Sequence, residues 1–509
     1  MRMMLLTILS IFLAVSCGSE PLPQPESVNL SADRTTVEFT ADGGDQTIVV
    51  TASEKLYVVA SEHWLKAKSG TKNDEHKTVV TFTAAANEAT RERSARVSLV
   101  AGEEKLYVDV KQAAAEKKEE PGGETPIVPD NNGSVAWKML DKFGLGWNLG
   151  NQMDAHNNGV AGETAWGNPK ATQATFTKVK AAGFTTVRIP VTWLGHIGDA
   201  PEYKIEEAWL NRVAELVGYA ENAGLNAVIN IHHDGGDSKY WLNIKGAAKN
   251  AEIQAQVLAQ IDAVWTQMAE KFKDKGDFLV FEAFNEIHDG GWGWGDNQND
   301  GGKQYQCLNE WNQKFVDAVR ATGGNNATRI LGIPAYCTNV DIAINSFVMP
   351  EDAVENRLMV SVHSYDPYDY ALSATKSEWG HTADNSKKVA GDNELQIRTM
   401  FEKIYVNFIQ KGIPVYMGEF GCVNRATERE QAFQQYYLKY FTKAAKVYGV
   451  PCFIWDNGAK GAGNECHAFI DHATGEYSSS GAEAAMRAMT TAYRSDYSLE
   501  DIYKQAPAF

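Results

Sequence analysis

The sequence predicts an α/β protein in two folded parts, a small immunoglobulin-like β-sandwich followed by a (β/α)₈ barrel of the TIM type. Three observations predict this arrangement. Six short strand patterns that alternate in polarity occupy residues 28–113. A linker rich in Ala, Lys, Glu and Pro follows over residues 114–131, and no hydrophobic core can form from it. Over residues 132–509, eight strand-like runs then alternate with longer amphipathic segments.

Residues 1–17 have the pattern of a bacterial lipoprotein signal peptide. The apolar run from Leu5 to Val15 is too short to span a bilayer, and small residues lead from it to Cys17. We expect cleavage before Cys17 and lipidation of its sulfur, with residues 18–27 as a Pro- and Ser-rich tether. An ordinary cleaved signal with an incidental Cys17 is the alternative, because these signals usually carry leucine three places before the cysteine. The acidic Glu20 further predicts an outer-membrane lipoprotein exposed at the cell surface.

The strand patterns of residues 28–113 are typical of a β-sandwich. The strand layout, Trp64 and the closing segment Tyr107–Gln112 together resemble the BACON domain, an immunoglobulin-like module. Tyr57, Trp64 and Tyr107 fall within strand patterns, so we expect them in the core of this part. The expected strands are Thr36–Thr40, Gln46–Thr51, Leu56–Val59, Thr78–Thr83, Arg96–Val100 and Lys105–Val110.

The eight runs of the second part predict a closed parallel barrel, because longer helical patterns separate most of them. An open, doubly wound sheet is the alternative, which the lack of a glycine-rich phosphate loop after the first run disfavours. The expected strands are Phe143–Leu149, Thr185–Pro190, Ala227–His232, Phe278–Asn285, Arg329–Pro334, Leu358–His363, Pro414–Glu419 and Pro451–Trp455.

The net charge of −17 argues against a nucleic-acid or anionic-membrane partner, because both carry charge of the same sign. The charge suits an enzyme with a neutral substrate, and the sequence predicts a monomer that needs no cofactor. The thirteen Trp and twenty Tyr are a mild indication of sugar stacking. The cysteines after Cys17 lack metal-ligand spacing, and we expect them to be buried and inert: Cys307, Cys337, Cys422, Cys452 and Cys466.

One polar group after another closes the otherwise apolar barrel strands. In a (β/α)₈ barrel the reacting groups lie at these C-terminal strand ends, so the pattern predicts an active site. The residues concerned are Asn148, Arg188, His232, His233, Asn285, Glu286, His363, Tyr365, Glu419, Trp455 and Asp456.

The motifs around these positions resemble glycoside hydrolase family 5, and most closely its subfamily 4 endoglucanases. The resemblance covers nearly all of residues 137–495, and its strength lies in the order of seven motifs, each at an expected strand end. They are Gly146–Asn151, Val187–Val191, Ile229–Asp234, Phe284–Glu286, Val362–Tyr365, Gly418–Gly421 and Ile454–Gly458.

The resemblance implies that Glu286 is the acid/base and Glu419 the nucleophile. Acetal cleavage needs a proton for the leaving oxygen and a negative neighbour for the oxocarbenium-like carbon, which two carboxyls supply. The resemblance also implies that Arg188 keeps Glu419 ionised, that Asn285 binds the sugar 2-hydroxyl and that Tyr365 donates to Glu419. His363 and Asn148 are expected to support the same site.

The adjacent His232 and His233 are harder to interpret, since neighbouring strand residues point to opposite faces. The resemblance favours His232 as the site residue and leaves His233 open between a structural role and a sugar contact. Zinc is disfavoured, because no third ligand appears at suitable spacing. The sequence predicts that the site holds no metal.

Four tryptophans are candidates for sugar stacking. Trp455 matches the platform under the sugar being cleaved, with core packing as the alternative. Trp292, Trp294 and Trp166 lie in glycine-containing loops, where they could line a cleft or pack within the loop. The loop with Trp292 also carries Asp289, Asp296 and Asp300, so bound calcium is a further alternative there.

Taken together, the sequence predicts a retaining endo-β-1,4-glucanase that acts on a soluble plant glucan such as xyloglucan or mixed-linkage β-glucan. A β-mannanase or xylanase on the same machinery is the first alternative. A non-catalytic surface glycan-binding lipoprotein is the second, and the presence of both Glu286 and Glu419 speaks against it.

Overall fold

The structure is a computed structural model that describes residues 29–87, 92–114 and 134–509 of the 509-residue chain. The expected signal peptide, the tether and the lipidated Cys17 lie outside the described residues, as does almost all of the expected linker. In the described part of the chain, every helix is too short or too polar to cross a bilayer.

The first part is a sandwich of two four-stranded sheets. One sheet has the order β1-β3-β6-β5, and the other has the order β2-β8-β7-β4. Neighbouring strands are antiparallel except for β2 and β8, which are parallel. The strands are β1 (Leu30–Ala32), β2 (Thr36–Phe39), β3 (Gly44–Ala52), β4 (Tyr57–Ala60), β5 (Leu65–Ser69), β6 (Lys77–Ala84), β7 (Arg93–Ala101) and β8 (Glu104–Gln112). All six expected strands are confirmed, and β1 and β5 are additional.

Trp64 lies in the core of the sandwich, as expected, with the Arg93 guanidinium 4.5 Å from its ring centroid. The expectation for Tyr107 was wrong, because its side chain is 41% exposed. On β8 the buried residues are Val108, Val110 and Gln112, so the two-residue period turns Tyr107 outward. The expectation for Tyr57 was also wrong. Its side chain is only partly buried, because it lies on the surface of the sandwich that faces the barrel.

The second part is a closed barrel of eight parallel strands in the order β12-β13-β14-β15-β16-β17-β18-β9. The predicted (β/α)₈ barrel is therefore confirmed, and the open-sheet alternative is wrong. The strands are β9 (Leu145–Leu149), β12 (Thr186–Ile189), β13 (Asn226–Ile229), β14 (Leu279–Glu282), β15 (Leu331–Asn339), β16 (Leu358–Ser364), β17 (Val415–Phe420) and β18 (Cys452–Asp456). A hairpin of β10 (His156–Asn157) and β11 (Val160–Ala161) follows the first of them.

Helices pack around the barrel and bury their apolar faces against the strands. The longest are α5 (Ala251–Lys271), α10 (Glu428–Val447), α6 (Lys303–Ala321) and α3 (Glu207–Asn222). The others are α1 (Val135–Phe143), α2 (Gln173–Ala182), α4 (Ile244–Ala247), α7 (Val340–Ser346), α8 (Tyr368–Ala371), α9 (Asn393–Asn407), α11 (Ser480–Arg494) and α12 (Leu499–Tyr503).

The start of the first barrel strand differs from the expectation. Phe143 was expected to open the strand, but it is the last residue of α1, and its side chain is buried. Gly144 ends the helix with a φ of +54°, a conformation that side chains rarely adopt, and the strand begins at Leu145. The apolar run continues through the break, so hydrophobicity alone could not locate it.

The two parts keep separate hydrophobic cores and touch through their surfaces. Tyr57 of β4 packs on Gly301, where an added Cβ would lie 2.4 Å from the Tyr57 Cβ. The Lys303 ammonium lies 5.4 Å from the centroid of the same ring. His63 of the sandwich lies 3.5 Å from Asp341 of α7. The contact therefore involves the end of the long loop that follows β14.

All five cysteines of the described residues are free thiols. Four are buried, which confirms the expectation for them, and Cys466 is partly exposed. Burial raises the pKa of the Cys307 thiol to about 12 and that of Cys422 above its ordinary value, so these thiols remain protonated and unreactive.

Candidate active site

The C-terminal ends of the barrel strands bring eight of the expected side chains into one cluster of hydrogen bonds and close polar contacts. Arg188 on β12 is its centre, and it is fully buried. The other members lie on or just after β9, β13, β14, β16 and β17. They are Asn148, His232, Asn285, Glu286, His363, Tyr365 and Glu419. Residues far apart in sequence meet here only because the sheet closes.

All five N–H groups of the Arg188 guanidinium have acceptors. Nη1 donates to Glu419 Oε1 at 2.7 Å and to Asn148 Oδ1 at 3.1 Å. Nη2 donates to Asn285 Oδ1 at 2.8 Å and to Glu282 Oε1 at 2.6 Å, and Nε donates to Glu282 at 3.1 Å. A guanidinium with a full set of acceptors has a fixed orientation, so Arg188 determines where Glu419 and Asn285 lie.

Glu282 is a site residue that sequence reasoning missed. It is fully buried on β14 and accepts hydrogen bonds from Tyr416, Ser361 and Asn230 as well as from Arg188. Burial alone would raise the pKa of Glu282, but the Arg188 guanidinium outweighs it and holds that pKa below its ordinary value. A carboxylate inside an apolar barrel strand was the available signal, because such a charge needs a buried partner.

Glu419 lies on β17 and is held by two donors. Its Oε1 accepts from Arg188, and its Oε2 accepts from the Tyr365 hydroxyl at 2.8 Å. Asn148 fixes the same strand, since its Nδ2 donates to the Gly418 carbonyl at 2.9 Å. These contacts orient both oxygens of Glu419 and stabilise its ionised form.

Glu286 follows β14 and faces Glu419 across the barrel mouth. Nδ1 of His363 lies 2.7 Å from Glu286 Oε1 and 3.8 Å from Glu419 Oε1. One oxygen of each glutamate comes within 4.8 Å of the other. Burial lowers the pKa of His363 to about 4, so this imidazole is neutral at ordinary pH, and its hydrogen bond with Glu286 adds no charge to the site.

Burial raises the pKa of both glutamates, but their neighbours differ. Glu419 accepts direct hydrogen bonds from a guanidinium and a hydroxyl, which oppose the rise, whereas no cation donates directly to Glu286. The direct donors at Glu419 therefore favour its ionised form, and Glu286 lacks a donor of that charge.

Both histidines that follow β13 lie at the mouth of the barrel. The strand ends at Ile229, so the alternation of strand faces does not apply to His232 and His233, whose ring centroids are 4.4 Å apart. His232 Nε2 lies 3.9 Å from Glu419 Oε1, and His233 Nδ1 lies 3.0 Å from the Asp154 carbonyl oxygen. The favoured position of His232 at the site agrees with this geometry, and the role of His233 stays open.

Two clusters of metal-ligating side chains occur in the described ranges, Glu286 with His363 and Glu419, and Asp154 with His232 and His233. In the first cluster the Arg188 guanidinium already supplies a positive charge at Glu419. In the second, Asp154 is the third ligand that spacing did not reveal, but its carboxylate accepts backbone N–H groups of its own loop. Burial raises the pKa of Asp154 to about 7. The prediction of a metal-free site stays a prediction.

Trp455 lies at the end of β18 beside His232, with ring centroids 6.1 Å apart and ring planes inclined by 7°. It is largely buried, and Gly150 makes room for its ring, because an added Cβ there would lie 2.6 Å from the indole. Trp166 is 42% exposed and packs near His233, with centroids 5.5 Å apart. Trp166 therefore presents a ring to solvent next to the mouth.

The loop after β14 presents two further tryptophans, Trp292 at 57% and Trp294 at 72% exposure. The centroid of the Trp292 ring lies 4.2 Å from that of His288, so this imidazole holds the indole in place. Packing within the loop does not account for Trp294, because its side chain is largely exposed. The aspartates of the loop hold its own backbone: Asp289 accepts from the N–H groups of Gly291 and Asn297, and Asp300 accepts from Gly302, Lys303 and Gln304. These contacts take up the carboxylates that calcium would need.

Two carboxyl groups that face each other at the mouth of a cleft are the machinery with which glycoside hydrolases cleave an acetal. Comparison with known proteins agrees. Residues 151–461 match the family described as Cellulase (glycosyl hydrolase family 5), and residues 57–113 match BACON, described as a putative N-terminal binding domain. The chain belongs to glycosyl hydrolase family 5, and its N-terminal sandwich is a BACON domain.

Relatives cover both parts of the chain. A xyloglucan-specific endo-β-1,4-glucanase of Bacteroides ovatus is 33% identical and spans 89% of this chain and 90% of its own. A solved broad-specificity endoglucanase from Bacteroides salanitronis is 55% identical, with a TM-score of 0.69 over 74% of this chain and 100% of its own. A solved Bacteroidetes-affiliated cellulase linked with a polysaccharide utilization locus is 47% identical, with a TM-score of 0.72 over 74% of this chain and 98% of its own.

Proposed function

We propose that this chain is a retaining endo-β-1,4-glucanase that cuts internal bonds of soluble plant glucans, above all xyloglucan or mixed-linkage β-glucan. The observation that carries the proposal is the approach of Glu286 and Glu419 to within 4.8 Å, in unequal surroundings. Retaining glycosidases hold their two carboxyl groups about 5–5.5 Å apart, whereas inverting ones need about 6.5–9.5 Å to admit a water molecule.

In the first step Glu419 attacks carbon one of the sugar as its C–O bond to the leaving sugar breaks. Arg188 and Tyr365 keep Glu419 ionised for this attack, and Glu286 gives its proton to the leaving oxygen. In the second step Glu286, now ionised, takes a proton from water, and that water displaces Glu419 from carbon one. The β configuration is thereby restored.

Two further side chains fit the sugar in this scheme. The Asn285 amide lies beside the nucleophile, with its oxygen fixed by Arg188 and its nitrogen left to donate to the sugar 2-hydroxyl. A bond of this kind strengthens in the transition state. Trp455 offers an indole face at the floor of the mouth, on which the sugar being cleaved can stack.

The proposed substrate class rests on the relatives, whose names include xyloglucan-specific and broad-specificity endoglucanases. The exposed rings of Trp166, Trp292 and Trp294 give the cleft stacking surfaces on which an extended glucan chain can lie. A mannanase or xylanase would use the same two glutamates, so a panel of xyloglucan, lichenan, carboxymethyl-cellulose, mannan and xylan distinguishes them. Failure to release reducing ends from any glucan would favour a glycan-binding protein instead.

The stereochemical test is proton NMR of the first products from a soluble glucan. We expect the β-anomer to appear first and the α-anomer to grow later through mutarotation. A 2-fluoro glycoside with a good leaving group should label Glu419, because the fluorine slows release of the covalent intermediate. Early α-anomer would mean inversion and would overturn the nucleophile assignment.

Alanine variants test the two roles separately. Both Glu286→Ala and Glu419→Ala should lose several orders of magnitude in turnover on polysaccharide, with unchanged far-UV circular dichroism. On an activated aryl glycoside, added azide should give the β-glycosyl azide with Glu286→Ala and the α-glycosyl azide with Glu419→Ala. The opposite pairing of products would exchange the two roles.

We also propose that the protein is anchored through Cys17 in the outer membrane and faces outward. The support is the sequence pattern of residues 1–17 together with Glu20. Replacement Cys17→Ala should move the protein from the membrane fraction to the soluble fraction, and surface proteolysis of intact cells should degrade the native form. A membrane-bound Cys17→Ala variant would contradict the anchor.

A further inference from the structure

The end of β15 carries a bulge beside the proposed acid/base. Pro334 pairs with Ser361 of β16, and the next pair is Asn339 with His363. Residues 335–338 therefore lie opposite Val362 alone. Extra residues of this kind in a strand re-aim side chains, and they are frequent next to active sites.

Two consecutive non-glycine residues of the bulge have left-handed backbone conformations, Cys337 with a φ of +53° and Thr338 with a φ of +46°. This region is unfavourable for any side chain and is an outlier for a β-branched one such as threonine. Strained residues of this type persist only where surrounding contacts fix them, and they cluster at functional sites.

Contacts on both sides fix the bulge. The Cys337 N–H donates to the Ile287 carbonyl, next to Glu286, at 2.9 Å. The Tyr336 hydroxyl donates to Gln304 and accepts from the Asp289 N–H, which ties the bulge to the loop that follows β14. The bulge is therefore held against the segment that carries Glu286.

The result is that the Thr338 hydroxyl, which is fully buried, lies between two acceptors. It is 2.7 Å from the Cys337 carbonyl oxygen and 3.4 Å from Glu286 Oε1. A hydroxyl has one proton to donate, and the shorter contact takes it in this structure. A small rotation and approach would bring it within normal bonding distance of the carboxylate, as catalytic contacts often tighten when substrate binds.

We propose that Thr338 is a positioning residue for Glu286. While Glu286 is protonated, the Thr338 hydroxyl donates to the Cys337 carbonyl. Once the proton of Glu286 has passed to the leaving oxygen, the hydroxyl turns and donates to the Glu286 carboxylate. The inference rests on the proposed role of Glu286 as acid/base. The hydroxyl stabilises the ionised form of Glu286, which activates water in the second step. Without it, His363 Nδ1 would be the one hydrogen-bond donor to this carboxylate among the contacts described above.

Other ionisable groups also act on Glu286, so a change in pH profile must be read against them. They come from every element packed around the carboxyl, namely Arg188, His233, His288, Cys337, His363, Tyr365 and Glu419. A substitution at position 338 leaves all of these ionisable side chains in place. A shift in the pH profile of such a variant therefore reports on the Thr338 hydroxyl.

The test compares Thr338→Val with Thr338→Ser across pH. Loss of a donor to the ionised carboxylate raises the pKa of Glu286, so the basic limb of kcat/KM in Thr338→Val should move up by about one pH unit. Thr338→Ser keeps the hydroxyl and should restore the native limb. Thr442→Val, which removes a buried hydroxyl on α10, controls for loss of stability.

A second comparison separates failure of this inference from failure of the proposed function. Glu286→Ala should retain far more activity on a dinitrophenyl cellobioside than on an aryl cellobioside with a poor leaving group, and if it does not, Glu286 is not the acid/base. If that contrast holds but Thr338→Val keeps the native basic limb, the hydroxyl only satisfies its own backbone, and the inference is wrong.

Discussion

Nη1 of Arg188 lies 2.7 Å from Oε1 of Glu419, while the other side of the same guanidinium is bound by the fully buried Glu282. The nucleophile candidate is thus the outer member of a carboxylate–guanidinium–carboxylate series. Arg188 can stabilise the charge of Glu419 without carrying an uncompensated charge into the barrel, because Glu282 balances it.

The first prediction is that Arg188→Lys is not a conservative change. A lysine ammonium has three donors at one point and cannot bind Glu282, Asn148, Asn285 and Glu419 together. We expect kcat/KM on an aryl cellobioside to fall on the order of 100-fold. Arg320→Lys is the matched control, since Arg320 makes a two-point pair with Asp352 elsewhere in the barrel. Equal kinetics in the two variants would contradict the role of Arg188.

The second prediction concerns Glu282→Gln, which keeps the shape of the side chain and removes its charge. Leaving Arg188 without its buried partner should lower the free energy of unfolding by about 3–5 kcal/mol. The freed guanidinium charge should also lower the pKa of Glu419, so the acidic limb of kcat/KM should move to lower pH.

Urea unfolding and pH profiles measure the two effects of Glu282→Gln. The control is Glu378→Gln, a fully buried carboxylate paired with Arg429 and Lys387. It should lose stability and keep the native pH profile. An unshifted acidic limb in Glu282→Gln would show that Glu282 has a structural role only.

The third prediction is a pH shift in Tyr365→Phe. Burial raises the pKa of Glu419, and the Tyr365 hydroxyl opposes that rise by donating to Oε2. Removing the donor should raise the pKa further, so activity should be lost at a higher pH as the solution is acidified. We expect kcat near the optimum to fall roughly tenfold. Tyr437→Phe, which loses a bond to the Asp366 carbonyl, should leave the acidic limb unchanged.

The fourth prediction assigns the exposed rings to binding of long chains. Trp292→Ala and Trp294→Ala should each raise KM for a long soluble glucan roughly fivefold, the equivalent of about 1 kcal/mol of stacking. Turnover of an aryl cellobioside, which is too short to span the cleft, should not change. Tyr497→Ala removes an exposed ring near the C-terminus and serves as the control. Unchanged KM values for the glucan would leave both rings without a binding role.

The fifth prediction is that deletion of residues 18–130 leaves turnover of short soluble oligosaccharides within about twofold of the native value, because the two parts have separate cores. A solved relative aligns over its whole length with only 74% of this chain, which supports an independent barrel. The contact of Tyr57 with Gly301 could affect the loop after β14, so long glucans should be assayed alongside. A large loss on the short substrate would show that the BACON domain contributes to the cleft.

The sequence by itself determined the barrel, its eight strands and the placement of Glu286 and Glu419 at strand ends. Strand periodicity and polar residues at seven of the eight expected strand ends depend only on local order along the chain, and both can be read without a structure. It also located Trp64 in the sandwich core. It did not locate the helix end at Phe143, because the apolar run passes through Gly144 without interruption.

Tertiary structure alone decided which of these groups touch. Glu282 is one charge in an apolar strand until the closed barrel places Arg188 against it. Asp154 joins His232 and His233 from a loop nearly eighty residues earlier in the chain, at a spacing that no motif describes. Thr338 approaches Glu286 only because β15 bulges against β16, and the outward face of Tyr107 follows from the register of β8. Contacts of this kind depend on the closure and register of sheets, which join distant residues through space, and a sequence records only the order in which they occur.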